Sequence, residues 1–278
     1  MGIMLIAIDI GGTKTLVASV NKDSQVVNKI KFPSPKNYSE WLEELKNNIN
    51  QLGYDDIDFI AIGCAGTMDR DGGIIKNSPN LGWVNTPLTE DVSSLFGGVT
   101  TIVENDANLA GLSEAHALDD INQRVMYVTF STGVGTGFVI NGVLSRDLLD
   151  SEGGNMVFPD KDGSLKNWES LAAGRTIVEK YSKRASELDD PSAWDEITKN
   201  MAYGIVACHS VFLSDTVVVG GGVGTYFEKF GDKLKEHVKS MIDITGVIRC
   251  PEITGAKRAE EAVMLGCIIM AQQYEQRQ

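Results

Sequence analysis

The chain has 278 residues, and its 38 acidic side chains outnumber its 25 lysines and arginines, which gives a formal net charge of −13 at pH 7. This length predicts two domains or one large one, with enough buried surface to fold without disulfides or a metal. The negative charge repels nucleic-acid phosphates and anionic membranes, so we expect neither as a partner. A substrate that carries phosphate must therefore be held by local donors and a metal ion rather than by the overall field.

The cysteines are scattered along the chain, at positions 64, 208, 250 and 267, and form no Cys-x-x-Cys pair. We therefore expect neither a zinc knuckle nor a redox pair. The first residues lack the basic region of a signal peptide, and no apolar run reaches the roughly 18 residues of a transmembrane span. Together these features predict a cytoplasmic protein.

The first part of the chain alternates predicted strands and helices. Strands are predicted where apolar residues run together, at 4–8, 15–20, 26–32, 57–62 and 100–103. A helix that begins after Ser39, its predicted N-cap, is indicated by apolar residues at helical spacing. Residues 77–85 are predicted to form an ordered loop, and a second helix is predicted over 106–118.

The pattern then restarts. Strands are predicted at 124–130, 138–141 and 216–219, a loop-rich region at 144–166, and helices at 168–182, 194–213, 227–238 and 259–274. Residues 6–13 and 128–135 both read as a strand followed by a turn of glycine and hydroxyl residues, which indicates an internal duplication with one copy in each domain. The alternation of strands and helices predicts an α/β protein.

The first glycine-rich turn follows the first apolar strand. Gly11 and Gly12 allow the backbone to approach an anion closely and to point its N–H groups at it. Thr13 can add a hydroxyl donor and Lys14 a positive charge, while Asp9 can hold Mg²⁺ or its waters. A hairpin turn that needs glycine for its φ angles would explain the two glycines without any ligand.

The second glycine-rich turn, over 131–137, reads S-T-G-V-G-T-G and leads into a strand. It is neither the GxGxxG of a dinucleotide-binding fold nor a Walker A loop, which needs Gly-Lys-Ser/Thr. Its backbone amides, together with Thr132, Gly133 and Gly135, are candidates to hold phosphate. Two such turns in two repeated domains predict a clamp around a polyphosphate.

Two further pairs of residues lie where a predicted strand ends and could contact a ligand. Gly221 and Gly222 follow a buried-type strand and open a helix, where they would let a base or ribose lie against the backbone or serve close strand–helix packing. Asn105 and Asp106 lie where a strand ends and a helix begins, which is where open α/β sheets carry their sites. Asp106 is therefore either a helix N-cap or a carboxylate that accepts a proton from a substrate hydroxyl.

Taken in order, the motifs are more specific than any one of them. They are DIGGTK at 9–14, CAGT at 64–67, NLGW at 80–83, ENDAN at 104–108, STGVGTG at 131–137 and GGGV at 220–223. This ordered set resembles the ROK family of sugar kinases, within the actin-like ATPase and hexokinase superfamily, and extends over essentially the whole chain. The resemblance implies a two-lobed actin-like (ribonuclease H-like) α/β fold with mixed sheets and a central cleft, with one lobe of residues 1–117 and 264–278 and a larger lobe of residues 118–263.

The resemblance also implies roles for individual residues. Asp106 matches the catalytic base, which takes the proton from the sugar hydroxyl as that hydroxyl attacks the γ-phosphate. The other sugar-binding positions that the resemblance implies are Gly66, Asn80, Asn105, Glu152, Asn155 and Glu169. ATP and Mg²⁺ are the implied cofactors, and the implied nucleotide-binding positions are Asp9 (through Mg²⁺), Gly11, Gly12, Thr13, Lys14, Thr132, Gly133, Gly135, Gly221 and Gly222.

The chain departs from the family pattern at one loop. Many members follow a Glu-x-Gly-His segment with a cysteine-rich zinc loop, whereas in this chain the segment reads E-G-G-N over 152–155 and no cysteine lies between Cys64 and Cys208. Asn155 cannot ligate a structural zinc in the family's manner. The resemblance therefore implies a member without a structural zinc.

The hypothesis that these residues favour is an ATP-dependent hexokinase, with glucose as the preferred hexose. The alternatives left open are a polyphosphate-dependent glucokinase, a fructokinase or N-acyl-hexosamine kinase, and a non-catalytic sugar sensor. The implied partners are a small-molecule sugar and a nucleotide, and the resemblance allows a homodimer. Family members that repress transcription carry an additional N-terminal DNA-binding domain, and we expect none in this chain because the first strand begins within a few residues of the start.

Overall fold

A computed structural model of the protein describes residues 4–21, 23–52 and 57–277. The chain forms two compact units, one that extends to Ser113 and resumes at Glu260, and a second over Glu114–Ala259. The boundaries predicted from the sequence, after 117 and after 263, each lie four residues beyond the observed boundaries after Ser113 and Ala259. The assignment of the two units as functional lobes stays a prediction.

Strands and helices alternate along the chain in both units. The first part contains β1 (Leu5–Ile10), β2 (Lys14–Val20), β3 (Val26–Pro33), α1 (Tyr38–Gln51), β4 (Phe59–Cys64), β5 (Thr67–Asp69), β6 (Ile74–Ser78), β7 (Trp83–Thr86), α2 (Leu88–Leu95), β8 (Thr100–Asn105) and α3 (Asp106–Ala115). The second unit contains β9 (Arg124–Phe130), β10 (Val134–Ile140), β11 (Val143–Leu144), β12 (Val157–Pro159), β13 (Leu165–Asn167), α4 (Trp168–Ala172), α5 (Gly174–Tyr181), α6 (Pro191–Phe212), β14 (Thr216–Gly220), α7 (Gly221–Gly224), α8 (Phe227–Thr245) and β15 (Glu252–Gly255). The chain then returns to the first unit as α9 (Ala262–Glu275).

The first unit is built on a five-stranded mixed sheet in the order β3-β2-β1-β4-β8. β1 pairs with β2 in the antiparallel sense and with β4 in the parallel sense, and β4 pairs with β8 in the parallel sense. Ile6 and Ile8 pack on the face that carries α1 and α2, whereas Leu5 and Ala7 pack on the opposite face with α9. The alternation of side chains along a strand thus buries β1 on both faces, as its continuous apolar run predicts.

The second unit repeats this arrangement. Its sheet has the order β11-β10-β9-β14-β15, with β9 antiparallel to β10 and parallel to β14, and β14 parallel to β15. Apolar side chains of β9 and β14 pack with those of α6 and α8 in one core. The shared strand order and directions agree with the duplication that the two glycine-rich turns indicate.

The first helix begins earlier than the sequence predicts. The N-cap of α1 is Asn37, whose Oδ1 accepts a hydrogen bond from Glu40 N at 3.1 Å, so the prediction of Ser39 as the cap is wrong. Both residues are good capping types and lie two positions apart, and spacing alone does not choose between them. Trp41, Leu45 and Ile49 are buried, as their helical spacing predicts.

Two other local predictions are corrected by the structure. Residues 77–85, predicted as a loop, lie mainly in the antiparallel strands β6 and β7, whose polar residues hide the strand pattern. The predicted helix over 168–182 is interrupted at Ala173, which has extended backbone angles, because Gly174 N donates to Ser131 O at 2.7 Å and turns the chain there.

Within the described residues, none of the helices combines the length and the apolar character that crossing a membrane requires.

The capping assignment predicts a difference between two alanine substitutions. Asn37→Ala removes the acceptor for Glu40 N and is expected to lower the free energy of unfolding by about 1 kcal/mol. Ser39→Ala, inside the first turn, is expected to change it by less than about 0.5 kcal/mol. Urea denaturation followed by far-ultraviolet circular dichroism measures both, and an equal or larger loss for Ser39→Ala would contradict the assignment.

Candidate active site

The carboxyl ends of three parallel strands meet at one edge of the first sheet. In the register of β1, β4 and β8, Asp9 lies opposite Gly63, and Gly63 lies opposite Glu104. Asn105 ends β8 and Asp106 begins α3. Open α/β sheets place their sites at this edge, so the topology brings Asp9 to the same end of the sheet as Asn105 and Asp106.

Two carboxylates at this edge are harder to ionise than ordinary ones. Burial raises the pKa of Asp9 to about 7, the charge of Asp106 adds to that shift, and Lys31 opposes it. Burial also raises the pKa of Asp106, while hydrogen bonds from the backbone N–H groups of Ala107 and of Asp106 itself oppose the rise. Carboxylates with raised pKa values act as stronger proton acceptors once ionised.

The amide of Asn105 performs the capping that the sequence left open for Asp106. Asn105 Oδ1 accepts hydrogen bonds from Ala107 N at 2.9 Å and from Asn108 N at 3.3 Å, which is the N-cap pattern for α3. Asp106 is the first helical residue, and its Oδ1 accepts from Ala107 N at 2.9 Å, a donor that Asn105 already satisfies. Capping of α3 therefore does not account for the carboxylate of Asp106.

The first glycine-rich turn connects β1 to β2. Gly11 N donates to Lys14 O at 3.0 Å, and Ser34 N donates to Thr13 O at 3.0 Å. Thr13 and Lys14 have exposed side chains, while Gly11 and Gly12 are half-buried. The turn therefore presents its hydroxyl and its ammonium group to solvent, where a phosphate can reach them.

Lys36 was not predicted as a site residue. Its Nζ donates to Gly12 O at 2.9 Å and also contacts Asn80 O. It thus connects the first glycine-rich turn with the turn between β6 and β7. The sequence motif around Lys36 gives no signal for this role, because both of its partners are backbone carbonyls distant along the chain.

Gly66 immediately precedes β5 of the small sheet β5-β6-β7, and Asn80 lies in the turn between β6 and β7. Gly66 has φ of +128°, and a Cβ there would come within 2.4 Å of Asn77 O, so no other residue fits. Gly66 O accepts from Asn105 Nδ2 at 3.2 Å, and Asn80 is exposed in its turn. The first unit thus brings Gly66 into direct contact with Asn105, one of the predicted sugar-binding residues.

A buried ion pair adjoins these residues and was also missed. Glu104 is 4% exposed and makes a two-point contact with Arg70, from Nε to Oε2 at 2.7 Å and from Nη2 to Oε1 at 2.6 Å. Glu104 follows the apolar residues of β8, and a carboxylate buried at such a position needs a partner. The sequence therefore indicated that Glu104 is paired, but it did not identify Arg70 as the partner.

In the second unit, the second glycine-rich turn is shorter than predicted. It occupies only 131–133, because β10 begins at Val134 and pairs there with Phe130 of β9. Gly135, predicted within the turn, lies instead in β10 opposite Thr129. Thr132 is exposed and Gly133 half-buried at the tip.

The third glycine cluster packs onto this turn. Gly221 has φ of +79°, and a Cβ there would lie 2.4 Å from Thr129 Oγ1, so glycine is required. Gly222 N donates to Ser131 Oγ at 3.3 Å, and a Cβ on Gly222 would meet nothing within 4 Å. Gly222 therefore faces open space beside the turn.

That space is a cavity of about 460 Å³ within the second unit, a size typical of small-molecule sites. Its lining residues are Ser131, Thr132, Gly174, Arg175, Val178, Arg184, Ala185, Ser186, Gly222, Val223 and Tyr226. The sequence predicted Thr132 and Gly222 but missed Arg175, Arg184 and Tyr226, which come from three separate segments. The cavity combines backbone amides, two guanidinium groups and an aromatic ring.

The three sugar-binding residues predicted in the second unit all lie near the start of β10. Glu152 precedes a single 3₁₀ turn that packs against β10, Asn155 is the last residue of that turn, and Asn155 N donates to Glu152 O at 3.0 Å. Glu169 lies in the first turn of α4, where its Oε2 accepts from Val134 N at 3.0 Å and its Oε1 accepts from Arg175 Nη2 at 2.5 Å. Glu169 thus connects the second glycine-rich turn to the cavity.

No group of three or more His, Cys, Asp or Glu side chains that could hold a metal ion occurs in the part of the chain that the structure describes. The donor set nevertheless suits Mg²⁺, which proteins commonly hold through one or two carboxylates completed by water and substrate phosphates. Asp9 offers such a carboxylate, and its pKa is raised chiefly by burial and further by the charge of Asp106, so a bound cation would favour its ionised form.

Comparison with known proteins agrees with these motifs. The ROK family model matches residues 5–274. A glucokinase of Streptomyces coelicolor is 30% identical over 193 residues, which cover 66% of this chain and 60% of that relative, so the match spans less than two thirds of its length. An N-acetylmannosamine kinase of Salmonella newport is 33% identical over 295 aligned residues, covering 96% of this chain and 98% of that protein.

A solved structure shows the same architecture. The ROK hexokinase from Thermus thermophilus superposes with a TM-score of 0.81 at 25% identity, covering 99% of both chains. The α/β class with mixed sheets, predicted from the sequence, is confirmed by this match. The family match over nearly the whole length, together with the ordered motifs, shows that the chain belongs to the ROK family.

Proposed function

We propose that this protein is a sugar kinase that transfers the γ-phosphate of ATP to a hydroxyl of a hexose, with Asp106 as the general base. The observation that carries the proposal is that Asn105 caps α3, which leaves the half-buried carboxylate of Asp106 to accept a proton. General-base help of this kind contributes about 10²–10⁴-fold to the rate. The glucokinase and the N-acetylmannosamine kinase among its relatives support the reaction class.

In the proposed reaction, the sugar hydroxyl gives its proton to Asp106 while its oxygen attacks the γ-phosphorus. The bond from that phosphorus to the bridging oxygen breaks, and ADP leaves. The raised pKa of Asp106 brings its basicity closer to neutral pH, which makes it a better acceptor than an exposed aspartate. Most of the remaining rate enhancement in phosphoryl transfer comes from positioning and charge stabilisation.

The sugar-binding residues in this proposal are those that the family resemblance implies. The residues are Gly66, Asn80 and Asn105 from the first unit, and Glu152, Asn155 and Glu169 from the second. Amide and carboxylate groups suit a sugar because they accept from and donate to adjacent hydroxyls. Asn105 retains one Nδ2 hydrogen beyond its bond to Gly66 O, and the carboxylate of Glu169 retains lone pairs beyond its two bonds.

The cavity of the second unit is the proposed site for the nucleoside part of ATP. Gly222 leaves room against the backbone, and Tyr226 offers a flat ring. Arg184 supplies local positive charge, while Arg175, which is paired with Glu169, adds N–H donors. Local charge matters because the net charge of −13 repels a polyanion at long range. Thr132 and the backbone of the second turn add donors for phosphate. Gly133, in that turn, and Gly135, in β10, are further proposed phosphate contacts.

The first glycine-rich turn is the proposed second contact for the phosphates. The proposed contacts are Gly11, Gly12, Thr13 and Lys14. In the second unit, Gly221, which precedes the cavity-lining Gly222, is also a proposed nucleotide-binding position. Asp9 would hold Mg²⁺ through its waters, and the ion when bound would neutralise charge on the transferring phosphates.

The substrate is proposed to be glucose, with N-acetylmannosamine as a second candidate. The second candidate rests on one observation. The match to the N-acetylmannosamine kinase covers 96% of this chain at 33% identity, whereas the match to the glucokinase covers 66% of this chain.

A coupled ADP-release assay across glucose, fructose, mannose, N-acetylglucosamine and N-acetylmannosamine, with ATP and Mg²⁺, tests the proposal. We expect one hexose to exceed the others in kcat/KM by at least about tenfold. The same panel with polyphosphate replacing ATP tests the donor and should give no sugar phosphate. Absence of sugar-dependent ADP release with every sugar would contradict the proposed function.

Replacing the base should separate catalysis from binding. Asp106→Asn is expected to lower kcat by at least about 10²-fold, while calorimetry still shows sugar and nucleotide binding. Because burial disfavours the ionised carboxylate, the melting temperature at pH 7 should stay equal or rise. Asp232→Asn, at a fully exposed acid of α8, is the matched control and should change none of these. A kcat within threefold of the wild type would remove Asp106 from the proposed role.

The nucleotide site can be tested by filling its open space. Gly222→Ala is expected to leave the fold and the KM for ATP nearly unchanged, since its Cβ meets nothing within 4 Å. Gly222→Leu extends into the cavity and is expected to raise the KM for ATP by about tenfold or more, with sugar affinity unchanged. Equal KM values for ATP in the leucine variant and the wild type would place the nucleotide elsewhere.

A further inference from the structure

We infer that the buried Arg70–Glu104 ion pair is a positioning device that fixes the direction in which the chain leaves β8 and so orients Asn105 and Asp106. The inference rests on the proposed function of Asp106 and extends it to two residues that are not among the proposed substrate contacts. Neither Arg70 nor Glu104 carried a predicted role.

Glu104 is the centre of the network. Besides its two bonds from Arg70, its Oε1 accepts from Asn105 N at 2.6 Å and from Asn108 Nδ2 at 2.9 Å. One carboxylate therefore holds the backbone just before α3 and a side chain in the first turn of α3. Asp106 lies between these two fixed points.

Hydrogen bonds also hold the backbone turn that carries Arg70. It lies in the turn between β5 and β6, where Gly72 N donates to Asp69 Oδ1 at 3.1 Å. In the same turn, Gly73 O accepts from Thr89 N of α2 at 3.1 Å. The side chain of Arg70 thus extends from a hydrogen-bonded turn. Its two bonds to Glu104 therefore restrain the position of the Glu104 carboxylate.

A second contact joins the same two segments. Asn105 Nδ2 donates to Gly66 O, at the start of the segment that leads into β5. The small sheet and the β8–α3 junction are therefore connected both through Arg70 and Glu104 and through Asn105 and Gly66. Two separate connections restrain an orientation more than a single hydrogen bond does.

The pair has the features of a strong contact. Two parallel N–H···O bonds between guanidinium and carboxylate add geometric specificity, and lysine cannot reproduce them. The side chains are 20% exposed for Arg70 and 5% for Glu104, so solvent screens the pair little. Removing one partner leaves the other buried and without compensation, which is costly.

The expected consequence is a loss of kcat rather than of binding. Misplacement of a reacting group by about 1 Å can cost about 10²-fold in rate. We therefore expect Arg70→Met and Glu104→Gln to lower kcat by about 10–100-fold while the KM for ATP changes by less than about threefold. Arg70→Lys keeps the charge but loses the two-point geometry, and it should recover only part of kcat.

Steady-state kinetics of these three variants, with melting temperatures measured on the same samples, form the test. Arg249→Met is the matched control, because Arg249 pairs with Asp215 at an exposed position in the second unit, and it should retain full kcat. A kcat within twofold of the wild type in both Arg70→Met and Glu104→Gln would overturn the inference. So would a loss of kcat that merely tracks the loss of folded protein.

Hydrogen–deuterium exchange provides a readout that is independent of activity. Amides in a peptide over 103–110 should exchange faster in Arg70→Met than in the wild type, while a peptide within α6 should not change. If the wild type phosphorylates no sugar but this local change occurs, the proposed function fails and the positioning network stands. If exchange over 103–110 is unchanged, the inference fails whatever the activity.

Discussion

The first unit depends on how it accommodates three acids at one edge of its sheet. Asp9, Glu104 and Asp106 all lie at the carboxyl ends of parallel strands or immediately after them, in a chain with an excess of negative charge. Burial of a carboxylate is costly unless it is paired or neutralised. Glu104 is paired with Arg70. Burial raises the pKa values of Asp9 and Asp106. We therefore propose that Glu104 has a structural role and that Asp9 and Asp106 take part in the chemistry.

The second unit meets a different requirement with the same sheet order. Its turn after β9, its glycine cluster after β14 and the start of α5 converge on Ser131: Gly222 N donates to its hydroxyl and Gly174 N to its carbonyl. The cavity beside them is lined by Arg175, which is paired with Glu169, and by Arg184, which supplies positive charge where the net charge of the protein is unfavourable. The same sheet order thus carries acids at its carboxyl edge in the first unit and arginines beside its glycine turns in the second unit.

The sequence predicted features that depend on local pattern. The strands β1, β4 and β9, the buried face of α1 and the placement of Asp106 at a strand–helix junction follow from apolar periodicity and from residue type. It did not predict contacts made across the chain. Arg70, Lys36 and Arg184 reach partners or cavities through segments far apart in sequence, and nothing in their neighbourhoods marks them. The sequence also could not decide between Asn37 and Ser39 as the N-cap of α1, because both residue types cap helices well and they lie only two positions apart.

Titration of the carboxylates themselves most directly tests whether the first sheet holds acids prepared for proton transfer. Carbon-13 nuclear magnetic resonance of the protein labelled at aspartate carboxyl carbons, with Asp9 and Asp106 assigned through their asparagine variants, reports each ionisation separately. We expect Asp9 to titrate with a midpoint near pH 7 and Asp106 to titrate above the ordinary aspartate value of 3.8. Midpoints at or below 3.8 for both would show that this edge of the sheet holds no carboxylate prepared to accept a proton, and would contradict the proposed role of Asp106.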